Sequence, residues 1–117
     1  EVKGLHNVAV CYEHGIGVAP DLAKACEFYR RAAELGHFAS LHTLGRLAAE
    51  DRLTPRNDAL GLAALAIAAG RAADDEAALA FVRANQPALV ATLRSRMSAS
   101  ELAEAKALAA ARRAALP

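Results

Sequence analysis

Displaced by 36 positions, the sequence falls on itself. Val8-Ala9 lands on Leu44-Gly45, His6 on His42, Asp21 on Asn57 and Ala32-Ala33 on Ala68-Ala69. Phe28-Tyr29 lands on Ala64-Leu65, apolar on apolar. A self-match at this period, with two helices in each period, is the mark of an α-solenoid. Its units bury their apolar faces by stacking on one another.

The helices can be read within each period. Val2, Leu5, Val8, Ala9 and Tyr12 form a 3.6-period stripe over residues 2–14. Gly15 stops that helix. Asp21, just after Pro20, caps a second helix with the stripe Leu22, Ala25, Phe28, Tyr29, Ala32 and Ala33, and Gly36 ends it. A third runs from about Phe38 to Glu50, and "DRLTPRND" breaks it. A fourth runs from about Asp58 to Ala69 and stops at Gly70. A fifth starts near Asp74 or Asp75. Asn85 and Pro87 read as the cap and first turn of a sixth. Ser98 and Glu101 form a capping box that opens a last helix to about Ala115. This predicts seven helices and no sheet, with short connections that make neighbours antiparallel.

Composition agrees. The 117 residues fit one domain, and 32 of them are alanine, the best helix former and a small side chain. The core must therefore be thin, with helix backbones close together. Val and Ile total eight and Trp is absent, too little for a sheet protein. The expected class is all-α, built of antiparallel helical-hairpin repeats. Val8, Tyr12, Phe28, Tyr29, Ala32, Leu44 and Leu65 are expected inside, with Gly45 at a close helix contact.

A net charge of +1 gives no bulk attraction for nucleic acid. No apolar run reaches the roughly 18 residues of a membrane span. Cys11 and Cys26 do not make a disulfide framework and are expected to be free thiols. The first residues, "EVKG", carry no visible leader. The reading leans to the bacterial cytoplasm over the periplasm, although neither the cysteines nor the missing leader decides it.

Residues 4–45 resemble the Sel-one-like repeat, a relative of the tetratricopeptide repeat. The matching residues are Gly4, Val8-Ala9, Tyr12, Gly15-Ile16-Gly17-Val18, Asp21, Lys24-Ala25, Phe28-Tyr29, Arg31-Ala32-Ala33 and Gly36. The next unit enters in register at Ser40 and Leu44-Gly45. It then departs from the pattern, with Ala48 where Tyr is usual and Asp51–Thr54 in place of Gly-x-Gly-Val, so its hairpin is expected with a different turn. The resemblance implies one repeat domain over 1–117, a short right-handed α-solenoid closed by a C-terminal capping helix. Repeat one covers about 4–39, a degenerate repeat two about 40–72, and capping helices about 73–117.

The glycine patch is then a turn between antiparallel helices and not a phosphate loop. "GIGVAPD" lacks Gly-Lys-Ser/Thr, follows a helix, and sets Asp21 where an anion would sit. The four histidines lack the spacing of a metal site, and no cofactor or metal is implied. Nor do carboxylates pair in an apolar pocket for acid–base work.

What the resemblance implies for function is a non-enzymatic scaffold or adaptor, binding another protein or peptide along the concave face lined by the first helix of each pair. Carried onto this chain, that face comprises His6, Val10, Glu13 and His14, then His42, Arg46 and Glu50. The histidine, arginine and carboxylate positions lie off the apolar stripe and are expected to be open to a partner. One alternative is the C-terminal structural cap of a longer repeat protein. A remoter one is a hydrolase like the cysteine-rich relatives linked to β-lactams. Those carry paired cysteines in every repeat, and this chain does not.

Overall fold

The structure, a computed structural model, describes residues 1–116. Six helices account for its regular structure: α1 (Val2–His14), α2 (Leu22–Glu34), α3 (Phe38–Ala49), α4 (Asp58–Arg71), α5 (Glu76–Arg96) and α6 (Ala99–Ala115). There is no strand among the described residues. α1 packs on α2 and α3 on α4, and α2 joins the two hairpins by packing on α3. α5 then lies against α3 and α4, and α6 against α4.

The 36-residue period of the sequence is physical, because the backbone repeats its devices at that shift. Gly15 caps α1 in the left-handed region, and Asp51 takes the same region after α3, with φ of 69° and 60°. The Ile16 amide donates to the Cys11 carbonyl at 2.9 Å, and the Arg52 amide donates to Leu47 at 2.8 Å. Asp21 caps α2 by accepting from the Lys24 amide, and Asn57 caps α4 by accepting from Leu60. The second turn thus keeps the opening geometry of the first. Asp supplies the left-handed residue that glycine supplies one period earlier, a conformation Asp tolerates better than most side chains.

Two expectations about the later helices are corrected. α5 runs unbroken through Pro87, so the expected fifth and sixth helices are one. Asn85 does not cap; its side-chain amide donates to the Phe81 carbonyl one turn back. The physical reason lies in the buried stripe Val82, Gln86 and Leu93, with Leu89 and Val90 beside it, which keeps one phase across the proline. Burial along both halves offsets the ~3 kcal/mol an interior proline costs. α4 also continues through Gly70 to Arg71. Asp75 and the Ser98–Glu101 capping box are as expected.

Alanine decides the packing. Tyr29, Ala32, Leu44 and Leu65 are buried, whereas Tyr12 and Phe28 are half-buried and Val8 is 39 % exposed. α1 has neighbours on only part of its circumference, which leaves Val8 in solvent. The closest helix approach is between α3 and α4. A Cβ built on Gly45 would fall inside the Leu65 side chain, and one on Gly61 would strike the Ala48 methyl. Arg96, at the end of α5, clamps this hairpin. It grips the buried Asp58 carboxylate through Nε at 3.1 Å and a terminal nitrogen at 3.2 Å, and also donates to the Ala48 carbonyl.

Leu65 is fully buried and cannot swing into solvent. Gly45→Ala is therefore expected to destabilise the protein by about 1–3 kcal/mol through overpacking, despite the ~1 kcal/mol helix-propensity gain. Leu65→Ala in the same chain should recover part of that loss. A urea-denaturation double-mutant cycle reads the coupling; additive effects would contradict the contact.

Candidate functional site

α1 and α3 run parallel, and their facing side chains meet at two ends. At the first end, His6 Nδ1 and Ser40 Oγ are hydrogen-bonded at 2.7 Å. At the other, Arg46 donates to both Glu13 carboxylate oxygens at 3.4 and 3.2 Å. Both pairs are separated by about one repeat in sequence, as side-by-side first helices require.

The first end is aromatic. The His6 ring lies 4.8 Å from His37 and 5.4 Å from Tyr29, centroid to centroid. One helix further on, Phe81 of α5 meets His42 edge-on at 4.7 Å and Phe38 at 6.1 Å. His42 is only 9 % exposed and its Nδ1 has no partner. Burial lowers the pKa of His6, His37 and His42. The neighbouring His37 adds to this at His6, Lys3 at His37, and Arg46 at His42.

The second end is ionic, with Glu13 at its centre. Its side chain is 1 % exposed. It accepts from the Tyr29 hydroxyl at 2.7 Å and from Arg46 and Arg52 at 3.2 Å. Arg46 and Arg52 also reach Glu50, at 3.2 and 3.4 Å. Burial pushes the Glu13 carboxyl up, but the Tyr29 and Arg46 hydrogen bonds outweigh it and the net shift is downward. The same arrangement holds the Tyr29 phenol well above its usual range, through burial first and then the Glu13 carboxylate.

The sequence-predicted residues therefore share one face but differ in exposure. His14 is open to solvent, with 57 % of its side chain exposed; Glu50 is exposed, and Arg46 is about one-third exposed. His6 and Val10 are half-buried, with Val10 packed on the core. Glu13 and His42 are not open, which corrects the expectation that such positions stand off the packed surface. α5 covers His42, and the bonds to Tyr29, Arg46 and Arg52 draw Glu13 inward. Tyr29, buried as expected, reaches this face from beneath through its hydroxyl, while His37, Ser40, Arg52 and Phe81 belong to it and were not anticipated there. Arg52 falls in the turn that breaks the repeat pattern, where an arginine in register with the exit of α1 was the available signal.

Cys11 and Cys26 are free thiols. Among the described residues, no cluster of His, Cys, Asp and Glu is set to hold a metal ion, and no helix is long and apolar enough to cross a membrane.

The linkage signs follow from these environments. A histidine whose folded pKa is depressed leaves the unfolded chain holding more protons, so stability falls as pH drops below the reference 6.5. Glu13, also depressed, loses its contribution as pH falls from 4.5 through its lower folded value. The melting temperature is expected to decline in two steps on acidification. His6→Asn should reduce the first and leave the second. A melting temperature unchanged from pH 7.5 to about 5.5 would contradict the histidine environments.

Comparison with known proteins places this architecture. Residues 2–37 match the family model of the Sel1 repeat. A search of curated proteins gave no match. Among solved structures, the chain resembles a protective antigen present in uropathogenic Escherichia coli strains that displays an SLR fold. The TM-score is 0.74 at 20 % identity, over 96 % of this chain and 22 % of that one. This chain thus spans less than a quarter of that relative's length. With the helical hairpins and their repeated caps, these matches show a Sel1 repeat over residues 2–37 and, over nearly the whole chain, the all-α solenoid fold of an SLR protein.

Proposed function

We propose that this chain is a protein–protein interaction module that takes a partner segment along the face shared by α1, α3 and the start of α5. Sel1 repeats are in general non-catalytic interaction scaffolds, and the reading rests on that family character together with one observation. Side chains from α1, α3 and α5, alternate helices in the chain, form a continuous strip, aromatic at one end and ionic at the other. His14, Glu50, Phe81 and the outer edge of Arg46 are the parts a partner can touch; Phe81 is 42 % exposed. Glu13 and His42 hold the strip in shape from beneath, and His6 and Val10 form its half-buried floor. The working division is repeat one at 4–39, repeat two at 40–72 and a closing segment at 73–117.

A second reading, the closing unit of a longer solenoid, draws on Val8. This exposed apolar residue of α1 is suited to another helix pair, while α6 covers α4 at the other end. Both readings can hold together, since closing units contribute to the same face.

The triple change His14→Ala, Glu50→Ala and Phe81→Ala is expected to leave the fold intact, because all three side chains are substantially exposed. It should weaken partner capture by about 1–3 kcal/mol, the range of one or two interface hot spots. Circular dichroism checks the fold, and quantified pull-down from native lysate reads the binding. Equal capture of the same partners by the triple variant would move the site off this face.

A further inference from the structure

α5 and α6 follow one another in the chain but do not close into a hairpin as α1–α2 and α3–α4 do. Beyond the turn that joins them they barely touch, and each packs separately on α4. A cleft of about 720 Å³ opens between them, with α4 as its floor. Its floor and walls are mostly small or aliphatic, including Leu62, Ala66, Val90 and Leu102. The charged residues lining it are Arg94, Lys106 and Arg113, all basic. In one wall Gln86 is 5 % exposed, with its Nε2 lacking any hydrogen-bond partner.

We infer that this cleft is a second docking site, and that it takes an amphipathic helix of a partner protein with acidic flanks. The charge pattern identifies the occupant. An apolar trough rimmed by cations alone favours an apolar stripe flanked by carboxylates and disfavours a basic helix. Alanine walls favour a helix, because small side chains let a helical backbone approach closely. The lining runs along α6 from Leu102 to Arg113, which sets the buried stretch of the occupant at about 12 residues, or ~18 Å of helix, with its flanks beyond. The site is separate from the face formed by α1, α3 and the start of α5, and it does not depend on that face binding anything.

The probe is a synthetic peptide of about 15 residues with leucines at i, i+3, i+4 and i+7 spacing and glutamates on both flanks. Two controls accompany it: the same peptide with lysine for glutamate, and a scrambled sequence of equal composition. Fluorescence anisotropy on the whole chain should show saturable binding of the acidic peptide, weakened by added salt. Arg94→Glu with Lys106→Glu should lower affinity about tenfold or more. Ala66→Trp, filling the trough from an exposed floor position, should remove binding. If Ala66→Trp fails to fold by circular dichroism, the charge-reversal pair decides alone. His14→Ala, Glu50→Ala and Phe81→Ala should leave peptide affinity unchanged, so failure here is distinct from failure of the other face. Equal binding of either control, or unchanged affinity in the charge-reversed variant, overturns the proposal. So does sedimentation showing a dimer of this chain that Ala66→Trp converts to monomer, because the occupant would then be a second copy.

Discussion

Everything in this molecule leans on the contact between α3 and α4, and that contact exists because two positions lack a side chain. Gly45 gives its space to Leu65, and Gly61 gives its space to Ala48. The two helices come close enough for alanines to fill the interface, which is how a chain with 32 alanines builds a dense core from small groups. α2 reaches this hairpin through α3, and α5 and α6 pack on it directly. Arg96 then ties α5 to the hairpin's turn through the buried Asp58 and the Ala48 carbonyl.

The first hairpin is attached differently. α1 meets α3 mainly through side chains, with an imidazole–hydroxyl pair at one end and the Glu13 hub at the other. Polar joints of this kind are directional, so they fix register where an apolar contact would allow sliding. The strip proposed as the partner surface is made from these joints. Its outer atoms are available because its inner atoms already hold the repeats in line.

Much of this was legible from the residues. The period, the glycine turn, the caps at Asp21 and Asn57 and the close approach at Gly45 all follow from local chemistry, and local chemistry repeats when the structure does. What was hidden depends on distance through space. Pro87 reads locally as a helix start, yet the stripe from Val82 to Leu93 carries the helix through it. His42 reads as a surface residue by its polarity, but Phe81 of α5 lies over it. Glu13 reads as a groove carboxylate, and only the folded chain brings Tyr29, Arg46 and Arg52 to it together. The second turn read as different because its letters differ. Its backbone opens as the first does because Asp51 accepts the conformation that Gly15 takes one period earlier, and it then differs as expected, since Gly17 is left-handed and Leu53 is not.

The central claim is that the α3–α4 hairpin is the keystone and that the first hairpin and the closing helices are arranged upon it. Native-state hydrogen exchange tests this residue by residue. The amides of Leu47, Ala48, Leu65, Ile67 and Ala68, buried at that interface or beside it, should be the slowest and should open only with global unfolding. Amides of α1 should exchange through a smaller opening that Glu13→Gln enlarges. Slowest exchange in α1 and α2, with α3 and α4 opening first, would contradict the account.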